Sequence, residues 1–239
     1  MAPLTYEQQQ IGDRLLVRLS GELSLASAPA VRAALLKALV EQPGAVVVDL
    51  TEVRVRQPSA MAVFTAIGRQ AAMWPGTPLL LCARDEQTTR ALAMNRSLQV
   101  FATVEQALSV PARRRTALIS DTLLPVAEAE ARARELAADA CDRWRLPHLV
   151  GPACLIAGEL AANAAVHAGT LAAIRLSVGP RYLLISVQDG STDKPRPGEA
   201  PDTGRGLLLV AATAHRWGCH LRDDGKVVWA SLRIRDARP

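Results

Sequence analysis

Glu159, Asn163 and His167 recur every four residues along a mostly apolar stretch. That spacing puts a carboxylate, an amide and an imidazole on one stripe of a helix. Between them stand Leu160, Ala161, Ala162, Ala164, Ala165 and Val166, mostly small groups that permit close approach. A carboxylate and an amide in such surroundings suit Mg-phosphate chemistry, the amide oxygen as metal ligand and the carboxylate as proton acceptor. The same spacing also describes a solvated stripe, with His167 a polar residue near a helix end. Farther along, Asp189 closes the strand-like run Leu183 to Gln188 and precedes Gly190. There it can accept a hydrogen bond from an exocyclic amine, or form an ordinary Asp-Gly turn. Thr203-Gly204-Arg205-Gly206 then opens a helix, where glycines let backbone N–H groups reach phosphate oxygens. Arg205 either adds a charge there or faces solvent. Neither the Walker phosphate loop nor the full dinucleotide fingerprint is present.

The elements that position these groups follow from periodicity. A strand over Thr116 to Leu124 precedes helices over Ala127 to Trp144 and Gly151 to Ala168. Strands over Ala173 to Val178 and Tyr182 to Asp189 come next, then a Pro- and Gly-rich loop. A helix over Gly206 to His215 leads to strands near Gly218 to Arg222 and Val227 to Ile234, turned by Asp224-Gly225. This pattern predicts an α/β sandwich with helices on one face of a mixed sheet.

The first half also alternates. Thr5 to Gln9 and Leu15 to Leu19 read as strands, with Ser20-Gly21-Glu22 as a turn and a helix through about Glu41 capped by Ser24 or Ser27. The β-branched run Ala45 to Leu50 marks a strand covered on both faces. A helix from Ser59 to Met73, a strand at Leu79 to Cys82, a helix over Gln87 to Met94, a strand at Leu98 to Phe101 and a helix over Val104 to Leu108 complete one α/β domain. The aperiodic segment 109–115, with its proline and arginines, separates domain 1–108 from domain 116–239.

Composition excludes several classes. Hydrophobic residues are 49% and charged residues 21% of the 239, as in ordinary globular chains. The net charge of +5 comes from scattered arginines, and with aromatics at 3% there is little to stack bases, so no direct nucleic-acid binding is expected. The four cysteines form no CxxC pair and match no metal spacing, so they read as buried apolar groups in a reducing compartment. With no signal peptide and no apolar run of the ~18 residues a membrane span needs, a cytoplasmic location away from membranes is expected.

Residues 116–234 resemble the ATPase domains of the gyrase/Hsp90/histidine-kinase superfamily, in the anti-sigma-factor kinase branch. The phrases that carry the resemblance are Glu159-Leu160-Ala161-Ala162-Asn163-Ala164-Ala165-Val166-His167-Ala168, Thr203-Gly204-Arg205-Gly206-Leu207, and Trp217-Gly218 with Gly225-Lys226-Val227-Val228-Trp229. The resemblance implies ATP and Mg²⁺ as ligands, with Asn163 on the metal and Glu159 as the base for an incoming hydroxyl. It further implies that Asp189 reads the adenine amino group, that Gly204 and Gly206 sit against the phosphates, and that His167 and Arg205 belong to the nucleotide site. One departure stands out: the superfamily's Asp-x-Gly-x-Gly box reads Asp189-Gly190-Ser191-Thr192-Asp193 here.

Residues 4–108 resemble the STAS domain of anti-sigma-factor antagonists, through Leu19-Ser20-Gly21-Glu22-Leu23, Val46-Val47-Val48-Asp49-Leu50 and the helix beginning Ser59-Ala60-Met61. The family's phosphorylated loop position falls on Pro58, which has no hydroxyl, leaving Ser59 as a helix N-cap. Together the two resemblances imply a STAS-like α/β domain followed by a histidine-kinase-like ATPase domain. They imply a regulatory serine/threonine kinase of a partner-switching system, acting on a sigma factor or an antagonist, with docking of its own two halves and a homodimer both open to it. The rival is a non-catalytic scaffold with weak or no nucleotide binding, favoured by Pro58 and the altered Asp189 box.

Overall fold

The computed structural model describes residues 3–71, 74, 77–94, 98–111, 117–193, 205–222 and 224–234. The chain divides into two compact units, Met1–Arg115 and Thr116–Pro239.

The first unit orders its strands as β1 (Thr5–Ile11), β2 (Arg14–Leu23), β3 (Ala45–Val55), β4 (Leu79–Cys82) and β5 (Gln99–Phe101). The hairpin partner β1 runs antiparallel to β2, and the remaining pairs are parallel. The parallel crossovers are helices α1 (Ala28–Val40), α2 (Ala62–Ala71) and α3 (Glu86–Ala93), with α4 (Val104–Ser109) after β5. Val46, Val48 and Leu50 join Leu35, Leu39, Phe64 and Ile67 in one core, while Ala45 and Val47 join Leu16, Leu80 and Ala107 in another. A strand apolar on both faces is the consequence of helices on both sides of the sheet.

Three local expectations are corrected. Ser20, Gly21 and Glu22 are strand residues rather than a turn, because β3 continues to Val55 and pairs them with Glu52, Val53 and Arg54. Ser27 stands at the N-cap of α1 but makes no side-chain cap bond, since its Oγ donates to the Glu22 carbonyl at 3.0 Å. Ser59 is not a cap either: it lies exposed within a 3₁₀ turn, Pro58–Met61, that precedes α2. By contrast α3 and α4 are capped by side chains, Asp85 accepting the Thr88 N–H at 2.7 Å and Thr103 that of Gln106 at 3.2 Å.

In the second unit β6 (Ala117–Leu123) is followed by α5 (Glu128–Arg143), α6 (Val150–His167), β7 (Ala172–Val178), β8 (Tyr182–Asp189), α7 (Arg205–Thr213), β9 (Arg216–Arg222) and β10 (Gly225–Arg233). The spatial order is β6-β7-β8-β10-β9, and every neighbouring pair is antiparallel. The expected mixed sheet is therefore corrected. The α7 crossover does return β9 parallel to β8, but β10 inserts between them and runs opposite to both. Ile174, Leu176, Ile185, Val187, Val228 and Ala230 share one core with the buried stripes of α5, α6 and α7.

The two long helices meet closely because their contact residues are small. Ala133, Ala137 and Ala140 of α5 face the core with Ala153, Ala157 and Ala161 of α6. The Arg134 side chain crosses Gly158 so tightly that a methyl there would meet its Cγ at 3.1 Å. By length and composition the stretch Pro147–His167, with mean hydropathy 1.6, is apolar enough to cross a membrane. The expectation that no such run exists is thus corrected. The buried stripe of α6 against sheet and helices is what a core helix requires.

Cys82 and Cys141 are fully buried, whereas Cys154 and Cys219 are partly exposed. Burial first, then Asp49 and Glu105, pushes the Cys82 thiol up to about 12, and burial with Cys154 pushes Cys141 up to about 11. Both thiols therefore stay protonated in the folded chain above the ordinary value of 9.0. Folding stability should fall as pH rises from 9.0 through those folded values, because only the unfolded chain releases the protons. In native protein at mildly alkaline pH, iodoacetamide should label Cys154 and Cys219 well before Cys82 and Cys141. In urea all four should react; equal native rates would contradict the burial.

Candidate functional site

Helix α6 carries Glu159, Asn163 and His167 toward the start of α7. The three line one cavity of about 150 Å³ together with Gly206, Ala162 and Leu207. Glu159 and Asn163 are half-buried and His167 is exposed. The stripe expected from the four-residue spacing thus meets the glycine at the α7 N-terminus in three dimensions.

Gly206 is where the close approach occurs. A side chain there would run into the Glu159 carboxylate, whose Cδ lies 3.3 Å from the Cβ position. The absence of a Cβ therefore lets a carboxylate and the backbone of the helix start share one small volume. The helix N-terminus carries partial positive charge beside that carboxylate, and the cavity between them offers N–H, amide, imidazole and carboxylate groups. Such a set can bind an anion with its counter-cation, or hold a hydroxyl against a proton acceptor.

Arg205 begins α7 exposed and does not line this cavity. Gly204 and Thr203 lie outside the described residues, as do all of residues 194–204. Asp189 is also not a lining residue of the cavity. It is buried at 4% exposure, at the end of β8, and directly opposite Lys226 on β10. The Lys226 Nζ donates to Asp189 Oδ1 at 2.9 Å, and Lys226 is itself 2% exposed. The Ser191 N–H donates to the same oxygen at 2.9 Å, and Thr170 Oγ1 accepts the Gly190 N–H at 3.0 Å. Gly225 completes this corner with φ +147°, since a side chain there would collide with the Asp189 carbonyl.

Lys226 is the partner of Asp189 that sequence reasoning missed. It was visible as part of Gly225-Lys226-Val227, but pairing with a residue 37 positions away depends on which strand lies beside β8. A buried ion pair persists only when both charges are compensated. Two opposed strand ends supply that geometry here.

Against known proteins, residues 7–74 match the family model described as Mlab, STAS domain. The first unit carries a STAS domain. Among solved structures, an anti-sigma factor antagonist from Mycobacterium paratuberculosis is 22% identical, with 44% of this chain and 92% of that chain covered and a TM-score of 0.40. The Bacillus cell fate determinant SpoIIAA in its phosphorylated form is 15% identical, covering 44% of this chain and 96% of that chain, with a TM-score of 0.35. An RsbS variant from Moorella thermoacetica is 18% identical, covering 43% and 91%, with a TM-score of 0.38. No curated protein matches the chain.

Proposed function

We propose that the chain is a partner-switching regulator in which the STAS domain engages protein partners and the second unit is an ATP-dependent serine/threonine kinase of the anti-sigma-factor type. Its partners on this reading are a sigma factor or an anti-sigma-factor antagonist. The observation that carries the reading is the convergence of Glu159, Asn163, His167 and Gly206 on one cavity. The donor set suits Mg-phosphate chemistry: the Asn163 amide oxygen suits a hard cation, and the missing Cβ of Gly206 lets the Glu159 carboxylate lie against the start of α7 beside it.

In this reading Asn163 holds the metal and His167 flanks the phosphates from the end of α6. Glu159 accepts the proton of the incoming serine or threonine hydroxyl and orients its oxygen. The bound nucleotide supplies the phosphoryl group, and the metal neutralises charge on it. The α7 N-terminus, with Arg205 beside it, contributes further positive potential.

A second reading, a non-catalytic scaffold, is favoured by the Lys226–Asp189 pair. An ammonium already donates to the carboxylate that would otherwise accept from the adenine amine. Calorimetric titration of the full chain with Mg-ATP, Mg-ADP and Mg-GTP separates the two. The kinase reading expects binding of both adenine nucleotides and much weaker binding of GTP. No binding of any of them leaves the scaffold.

A further inference from the structure

A cavity of about 500 Å³ lies within the first unit, among the described residues. Its origin is a bulge in β3. Arg18 pairs with Asp49 and Ser20 with Glu52, so β3 contains one residue more than β2 between these pairs. The extra residue shifts the alternation: Val46, Val48 and Leu50 face the α1/α2 core, and after it Val53 and Val55 face that core. Asp49 fixes the kink, its Oδ1 accepting from the Thr51 N–H at 3.0 Å and the Thr51 hydroxyl at 2.7 Å. The pairing of β3 with β4 ends at Asp49, so the tail of β3 beyond the bulge has no β4 partner.

The space left beside that tail is bounded by the Pro58–Met61 turn and by α3. It lies beyond the C-terminal end of β4, the side on which open α/β sheets take ligands. Its apolar lining is Val53, Val55 and Met61, with Ala91 exposed on α3. Two guanidiniums, Arg54 and Arg84, stand at its rim, and among the described residues neither has an ion-pair partner. The one carboxylate on the lining, Asp85, is spent on capping α3 through the Thr88 N–H. Thr51, Thr88 and Gln87 add neutral hydrogen-bonding groups. Among the described residues no aromatic side chain lines the cavity, so none of them would stack on a nucleobase.

We propose that this cavity is a binding site for a small amphiphilic anion, an apolar body seated on Val53, Val55 and Met61 with its carboxylate or phosphate head held by Arg54 and Arg84. The volume is that of a small-molecule pocket, and paired guanidiniums are the usual means of fixing such a head group. An occupant would set a negative charge beside the Pro58–Met61 turn, where the chain has no hydroxyl at residue 58 to carry one covalently.

Calorimetry and backbone NMR on the full chain with sodium decanoate as probe test this. Decanoate should saturate at one per chain, with chemical-shift changes centred on residues 51–61 and 84–91. Octanoate, two methylenes shorter, should bind about tenfold more weakly. Arg54→Gln and Arg84→Gln should each weaken decanoate by about tenfold or more. Ala91→Trp, at an exposed position of α3, should block the cavity without disturbing the core. Decyltrimethylammonium should not bind. Failure of decanoate to saturate, equal binding of the cation, undiminished binding by the three variants, or shifts centred elsewhere would each overturn the proposal. The nucleotide titration of the second unit is a separate measurement, so neither outcome decides the other.

Discussion

Substituting asparagine for Asp189 is expected to destabilise the second unit by about 3–5 kcal/mol, the cost of leaving a buried charge without its partner. Lys226 is 2% exposed and its ammonium has Asp189 Oδ1 at 2.9 Å, with the Ser191 carbonyl more distant at 3.5 Å. An amide cannot balance that charge. The loss should be local to the paired strand ends, so hydrogen exchange in β8 and β10 peptides under increasing urea is the informative measurement. Adding Lys226→Met should recover much of the stability, because removing both charges leaves none uncompensated. The double variant then isolates binding from folding. If Asp189 also reads adenine, the refolded double variant should still bind ATP about 1–3 kcal/mol more weakly than the parent. An Asp189→Asn chain as stable as the parent would refute the ion-pair account.

Phosphoryl transfer should fall by about 10²–10⁴-fold in Glu159→Ala while affinity for Mg-ATP stays nearly unchanged. The carboxylate acts on the hydroxyl nucleophile in this reading, so its loss removes chemistry and spares binding. Asn163→Ala should damage both, since a metal ligand is lost with the amide. Gly206→Val provides a geometric control: its side chain would displace the Glu159 carboxylate and occupy the space at the α7 start, so both binding and transfer should suffer. The readout is transfer from labelled Mg-ATP to a serine-bearing STAS partner, alongside calorimetry on each variant. Full transfer activity in Glu159→Ala would remove Glu159 from the role of base.

The sequence by itself determined most of the elements, though not the strand continuation through Ser20–Glu22 or the 3₁₀ turn at Pro58–Met61. A four-residue recurrence of Glu159, Asn163 and His167 has only one helical outcome, and all three line the cavity that Gly206 completes. The run Ala45 to Leu50 likewise had to be covered on both faces, and it is. These signals are local, because side-chain direction repeats with the backbone period. What only the tertiary structure decided is which edges meet. The same alternation in β8, β9 and β10 suits several strand orders, and the insertion of β10 beside β8 is what turns a mixed sheet into an antiparallel one and brings Lys226 onto Asp189. The bulge within β3, between Asp49 and Glu52, was hidden for the same reason. An extra residue shows as a bulge only against the partner strand it fails to match, and the cavity beside Arg54 and Arg84 follows from that mismatch.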